Sequence, residues 1–372
     1  MRLSAFLNFH LKHFQDTGDV KFFGVSSYFH IMKILVRLPN WLGDMVMSTS
    51  FLRALQLAYP GAEIDVIVKK GLDSLLDFIP GINRRYVFSK EEWKGLKGVF
   101  LFGRNIKKEK EYDLFFCLPD SFSSAVMAWA TKAKKRIGFI GEKQSYWKRA
   151  KIGFEGEFRS YLLTNSYLKF PSSHRVEQYV SLLQQFHPGN IEPQAVILEP
   201  RSTIVSRRVI VNLNSEAISR RMPVPKGTAL LNSLVKEMPD AEFVCIGSAK
   251  EKQHVDAILS GLDNPDKVIN NAGQTRSLPA LIQMIGSGAV MLTTDSGPAH
   301  IANALGVPVV VLFGAGNEKN TAPYNGEQRT VLRLGELRCE PCVKNTCIYG
   351  LPKCLELLDE QKIITAVKRY FY

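Results

Sequence analysis

The stretch "TTDSGPAHIANALG" (293–306) sets an acid, hydroxyl groups and a bare backbone at the mouth of a helix. Gly297 and Pro298 let that helix begin without steric conflict, which leaves its first amides free to meet an anion. A negative Asp295 beside an anion site makes sense when it faces neutral sugar hydroxyls while the amides face phosphate. Thr294 and Ser296 bound the same knot. His300 follows one helical turn along, where a packed helix residue is the alternative reading. A sugar diphosphate nucleotide is one ligand that carries both kinds of group.

Two other turns supply groups such a ligand could use. In "RLPNWLGDMVMSTS" (37–50), Gly43 is expected to turn the backbone tightly and Asp44 to open a helix. Asp44 reads either as an N-cap or as a working carboxylate. The bulky Trp41 and Leu42 in a turn at a sheet's ligand edge favour work. In "NLNSEAISRRMP" (212–223), Ser215, Ser219 and two arginines converge, and the guanidinium fork suits phosphate oxygens. A solvated basic loop is the plainer alternative. Gly247 in "CIGSAKEKQ" follows a strand and leaves space for a ribose or a base.

These turns need elements to carry them. From Lys33 onward, strands and helices alternate, the pattern of parallel sheets with crossover helices. "KILVRL", "AEIDVIVK", "YDLFFCLP" and "KRIGFI" read as strands, with helices at "DMVMSTSFLRALQLAY" and "SFSSAVMAWATKA". The helical "SHRVEQYVSLLQQF" leads into the turn-rich "HPGNIEPQ", and a second set begins: "RRVIVNL", "AEFVCIG", "KVIN", "AVMLTT", "VPVVVLF" and "RTVLRL". The fold class is therefore α/β, two Rossmann-like doubly wound domains facing a central cleft, with ligands beyond the carboxyl ends of the strands. The expected division is a loosely attached extension (1–31), a first domain (32–195) and a second (196–372).

Composition narrows the class. The 372 residues are 45% hydrophobic, enough for two cores, and carry a net charge of +13, which attracts nucleic acid, an anionic membrane surface or a phosphorylated substrate. No run reaches the roughly 18 apolar residues of a spanning helix, and polar residues break up the opening segment as a secretory signal, so a cytoplasmic protein is expected. Neither the G-x-G-x-x-G fingerprint nor a phosphate-loop motif is present, which disfavours a dehydrogenase. Cys339, Cys342, Cys347 and Cys354 are spaced for zinc before disulfides, with four reduced thiols as the alternative; Cys117 and Cys245 fall in strands and read as core.

Taken in order, "ILVRLPNWLGDMVMSTSFLRALQLAYPGAEIDV", "PDSFSSA", "NSEAISRRMP", "IGSAKE" and "TTDSGPAHIANALGVPVVVLFG" resemble the motifs of the bacterial heptosyltransferases, nearest the heptosyltransferase II branch. The resemblance spans residues 32–372. It implies a GT-B fold and an inverting, metal-independent transfer from ADP-heptose to the lipid A inner core of lipopolysaccharide, with no cofactor and no nucleic acid partner. By motif position, Asp44 is the general base. Ser215, Arg220, Gly247, Thr294, Asp295, Ser296, Gly297, Pro298 and His300 bind the donor, while Trp41, Ser121 and Ser123 face the acceptor. The family has lysine where this chain has Arg220, which changes reach and hydrogen-bond geometry. The basic runs 132–136 and 146–151 would suit acceptor phosphates at the cytoplasmic face of the inner membrane. A non-catalytic nucleotide-sugar-binding protein, and a relative with another acceptor or sugar, are the competing readings.

Overall fold

The computed structural model describes residues 31–142, 154–170, 173–200 and 207–372. The expected N-terminal extension, apart from Ile31, and the basic run 146–151 lie outside them. Residues 32–372 form one compact unit.

The first sheet is built from β1 (Lys33–Arg37), β2 (Glu63–Lys69), β3 (Arg84–Phe88), β4 (Leu114–Cys117), β5 (Lys135–Glu142) and β6 (Asn165–Lys169). Its helices are α1 (Leu42–Met47), α2 (Thr49–Ala58), α3 (Gly95–Glu109), α4 (Phe122–Thr131), α5 (Phe154–Leu162) and α6 (Arg175–Phe186). The second sheet holds β7 (Arg208–Asn212), β8 (Glu242–Cys245), β9 (Val268–Asn270), β10 (Val290–Thr294), β11 (Val309–Phe313) and β12 (Arg329–Arg333). With it go α7 (Val224–Glu237), α8 (Lys252–Leu259), α9 (Leu278–Gly286), α10 (Gly297–Leu305), α11 (Glu318–Thr321), α12 (Lys353–Glu356) and α13 (Glu360–Phe371).

Every strand pairing is parallel, and the orders are β3-β2-β1-β4-β5-β6 and β12-β11-β10-β7-β8-β9. Central strands of such sheets are covered on both faces, so they read as unbroken apolar runs. "VVVLF" in β11 and "VMLTT" in β10 are buried throughout. The edges are different: β6 ("NSYLK") is half-buried along its length, and β3 ("RRYVF") alternates exposed and buried. Both edge strands escape the sequence pattern. The single helix expected from Asp44 to Tyr59 is interrupted at Ser48, whose hydroxyl donates to the Met45 carbonyl at 2.7 Å and separates α1 from α2.

One hydrophobic cluster joins the two sheets, taking Val36, Met45 and Val180 from the first half and Ile301, Val309 and Phe313 from the second. Burial of this kind is worth about 25 cal/mol per Å² of apolar surface, so the halves are held by core packing as well as by the chain that links them. That chain is stitched to both sides. Gln194 N donates to Ser50 Oγ, Val196 N to Asn325 Oδ1, and Leu198 N to the Ala304 carbonyl.

Candidate functional site

Asp44 stands on the third residue of α1, just past the carboxyl end of β1. The N-cap of α1 is Trp41, and no side chain caps it, so the capping reading of Asp44 does not describe this helix. Its Oδ1 accepts from Tyr179 Oη at 3.3 Å and lies 3.4 Å from Arg175 Nε, both on α6. Burial lifts the Asp44 carboxyl above its ordinary range, against the pull of Arg175, Tyr179 and Lys169. A carboxyl so placed gives up its proton less readily than an exposed one and is correspondingly the better proton acceptor.

Gly43 is helical, so the expected tight turn is not what demands glycine there. The reason is contact. A Cβ at Gly43 would stand 2.8 Å from His300 Cδ2, and one at Gly297 would stand 3.1 Å from Leu42 Cδ2. The first turns of α1 and α10 therefore pack backbone against side chain, and the ligand edges of the two sheets meet there. His300 is 5% exposed, held neutral by burial with a pKa pushed down to about 3. These contacts pack it against Gly43 where the two halves meet.

The donor-type residues gather at the ends of β7 and β10. Asp295 is 4% exposed, and Arg220 Nη1 lies 3.3 Å from its Oδ2. Burial raises the Asp295 carboxyl, offset by Arg220 and Arg333. Arg221 is spent on its own loop, its Nε donating to the Ser215 carbonyl at 2.6 Å. This distinguishes the two arginines: Arg220, on the short 3-10 turn Ile218–Arg220, keeps an unbonded Nε among the described residues. Thr294 is fully buried, and its hydroxyl donates to the Asn214 carbonyl at 2.7 Å. Ser296 is the N-cap of α10 and accepts from Asn212 Nδ2 at 2.9 Å. Pro298 occupies the first turn, where its missing N–H costs nothing. Gly247 lies where a Cβ would press on Asn214 Nδ2 at 2.9 Å, so glycine there protects the Asn214 position.

Several contributors carry no signal in the sequence. Gly316 lets the Asp295 carboxylate approach: a Cβ there would fall 1.9 Å from Oδ2. Arg333 donates to Glu318 Oε2, to the Gly314 carbonyl at 2.9 Å and to the Gly316 carbonyl, which fixes the loop that contains Gly316. Asn212 and Asn214 form the polar floor beneath Thr293 and Ser296. A strand ending in asparagine followed by a turn was the available hint.

On the other lip, Ser121 caps α4 by accepting from Ser124 N, and its Oγ lies 3.1 Å from Ser123 Oγ. Asp120 beside them pairs with Lys169. Both charges act on Asp44, which places this loop in its neighbourhood. Trp41 is 62% exposed with Lys69 Nζ over its ring. In the basic run 132–136, Lys134 pairs with Asp113 and Arg136 donates to the Leu162 and Ala133 carbonyls, leaving Lys132 and Lys135 as exposed charges with no ion pair among the described residues.

Cys339, Cys342, Cys347 and Cys354 line one cavity beside Gly314 and Ser219, all with free thiols. Among the described residues no group of three or more His, Cys, Asp or Glu is placed to hold a metal ion, so the zinc reading of their spacing finds no assembled ligand set. Their segment instead braces the donor loops. Val343 N donates to the Ala315 carbonyl at 2.8 Å, and Ser219 Oγ to the Lys344 carbonyl at 2.5 Å. Cys117 and Cys245 are buried in β4 and β8, as expected.

Two doubly wound domains with their ligand edges in contact give the chain the GT-B architecture of a glycosyltransferase. The chain belongs to glycosyltransferase family 9, the heptosyltransferases, whose model matches residues 99–352. It is 28% identical to lipopolysaccharide heptosyltransferase 2 of Escherichia coli K12 over 320 residues, covering 82% of this chain and 88% of that one. It is 23% identical to lipooligosaccharide heptosyltransferase 2 of Campylobacter jejuni, with 91% and 99% covered. The solved structure of E. coli ADP-heptose LPS heptosyltransferase II superposes with a TM-score of 0.73 at 25% identity, over 91% of this chain and 98% of that one.

Proposed function

We propose that the protein transfers heptose from ADP-heptose to the inner core of lipopolysaccharide, with inversion at the anomeric carbon and without a metal ion. The observation that carries this reading is the facing pair of sites: a half-buried, proton-seeking Asp44 on one lip and Arg220 with the open end of α10 on the other, packed together through Gly43 and Gly297. The acceptor hydroxyl attacks the anomeric carbon as Asp44 takes its proton. The bond from that carbon to the diphosphate oxygen breaks, and ADP leaves with the electron pair.

Charge that builds on the departing phosphate meets the Arg220 guanidinium and the first amides of α10, fixed donors that need no reorganisation at the moment of reaction. Asp295 holds the sugar, and Ser215, Ser296 and Gly247 receive the nucleoside diphosphate side of the donor. Trp41 and the Ser121–Ser123 loop receive the acceptor. No helix among the described residues is long and apolar enough to cross a membrane. Exposed Lys132 and Lys135 support a peripheral contact with the anionic cytoplasmic face of the inner membrane, where a lipid-linked acceptor lies.

The test is direct. Purified protein is given ADP-heptose and a panel of truncated lipopolysaccharide cores, with and without EDTA, and ADP release and acceptor mass are followed. Gain of one heptose on one core, undiminished by EDTA, is the expected result. Binding of ADP-heptose with no transfer to any core would leave a nucleotide-sugar-binding protein.

A further inference from the structure

Arg175 and Tyr179 stand four residues apart on α6, a spacing that puts both on one helix face. Both aim at a single oxygen, Asp44 Oδ1, at 3.4 and 3.3 Å. Tyr179 is otherwise a core residue, packed in the cluster that joins the sheets, where a phenylalanine would fill nearly the same space. Its hydroxyl is the part that packing does not require, and a buried hydroxyl is costly without a partner. The Nε of Arg175 is buried and has no hydrogen bond among the described residues, so Asp44 is the charge it serves.

The start of the same helix is tied to the opposite half. His174, the N-cap of α6, sets its Nε2 2.8 Å from the Ala322 carbonyl, and Asn320 Nδ2 donates to the Ser173 carbonyl at 3.1 Å. The turn that grips Asp44 is thus registered against the half that carries Asp295 and Arg220.

We propose that Arg175 and Tyr179 are positioning residues for Asp44: they hold Oδ1 and so present Oδ2 to the acceptor hydroxyl. This rests on the reading of Asp44 as the proton acceptor. The groups that face Asp44 are Arg175 and Tyr179 from α6, Lys169 from β6, Asp120 from the loop after β4, and neutral His300, which packs on Gly43 from α10. Arg175, Tyr179 and Lys169 favour the carboxylate, while burial and Asp120 favour the acid. Loss of the Arg175 charge therefore raises the pH at which Asp44 becomes competent, and the acid limb of the kcat profile moves up with it.

The experiment measures kcat and KM across a wide pH range for the full chain and for Arg175→Met, Arg175→Lys and Tyr179→Phe, using ADP-heptose and the core that accepts heptose. Arg175→Met is expected to shift the acid limb upward by about one pH unit or more, the effect of one opposite charge at this range. It should lose rate at pH values below the shifted limb and regain it above, with ADP affinity unchanged. Arg175→Lys should restore most of the wild-type limb, and Tyr179→Phe should move it by less. A limb that stays in place in both Tyr179→Phe and Arg175→Met overturns the proposal, since a merely structural role lowers kcat alike at every pH. Should Arg175→Met fail to fold, Tyr179→Phe and Arg175→Lys decide. Asp44→Asn separates the two levels. An active Asp44→Asn protein removes the base reading itself, whereas an inactive one with unmoved limbs in the α6 variants removes the positioning role alone.

Discussion

Two acid–arginine pairs of nearly equal length stand at the candidate site, Asp44 with Arg175 at 3.4 Å and Asp295 with Arg220 at 3.3 Å. Burial raises both carboxyls. Their enclosure differs. The Asp44 side chain keeps 25% of its surface open, while that of Asp295 keeps 6%. An acid with an open edge can exchange a proton with something that arrives. An acid walled in by Gly316 and backed by Arg220 is better suited to fix geometry. The scaffolds are the same: the sheet orders β3-β2-β1-β4-β5-β6 and β9-β8-β7-β10-β11-β12 are one topology used twice. Each pair sits beside the point where its strand order reverses, the place such sheets reserve for ligands. Topology chooses the place, and on the proposed reading the degree of enclosure separates proton chemistry from orientation.

The hardest test of this contrast is at Asp44. Asp44→Asn keeps shape but cannot accept a proton, so kcat should fall by roughly 10²–10⁴-fold with ADP affinity intact. Steady-state kinetics beside ADP titration read both. An equal kcat loss at saturating donor in Asp295→Asn would erase the distinction between the pairs.

A smaller effect is expected on the donor side. Asp295→Ala should weaken ADP-heptose by roughly ten- to a hundredfold, the worth of one charge-assisted hydrogen bond, yet leave ADP binding nearly unchanged. Arg220→Ala should weaken both ligands and Arg221→Ala neither, because Arg221 is committed to the Ser215 carbonyl. Calorimetric titration of the three variants sorts these outcomes. If ADP affinity survives in Arg220→Ala, another group holds the diphosphate.

Gly316→Ala sharpens the point without touching a charge. The added methyl must displace the Asp295 carboxylate, so donor affinity should fall toward that of Asp295→Ala. Overpacking of this kind typically costs ~1–3 kcal/mol of stability, which thermal unfolding would report. Wild-type donor affinity in this variant would mean that the position of Asp295 is not critical.

The smallest effect concerns His300. Its folded pKa of about 3 lies below its ordinary 6.5, so between those values the unfolded chain binds a proton that the folded chain refuses. Its contribution is complete above pH 6.5 and is lost as the pH falls toward 3. Replacement with glutamine should flatten the acid loss of Tm. His174 and His254, lowered for the same reason, retain part of the slope. An unchanged slope in His300→Gln would mean that His300 is not the group titrating.

Much of this was legible in the chain because buried parallel strands advertise themselves. β1, β10 and β11 are continuous apolar runs followed by turns rich in glycine, asparagine and aspartate, so the central strands and the residues at their ends could be read off together. The edges of the first sheet could not. β3 and β6 carry arginine, lysine and asparagine on half-exposed faces and look like loop. Asp44, Arg220 and Asp295 stand in short local motifs, whereas Arg175, Tyr179, Gly316 and Arg333 act on them across long stretches of sequence. Spacing along a chain reports neighbours in a turn. It is silent about which helix from another part of the sequence will lie against that turn, and Gly43 shows the cost: its glycine answers to His300, more than two hundred and fifty residues away, and not to its own backbone.

That glycine contact also bears on motion. Where α1 meets α10, one side chain from each helix, Leu42 and His300, lies directly on the glycine of the other, so there is little to slide over and a short, stiff point to rock about. It is placed to serve as a fulcrum. A rotation of one sheet against the other about this point would open or shut the outer cleft, yet would alter least the span between Asp44 and the first amides of α10, which lie beside it. Such a motion would let the mouth widen while the spacing at the centre stays set by Gly43 against His300 and Gly297 against Leu42.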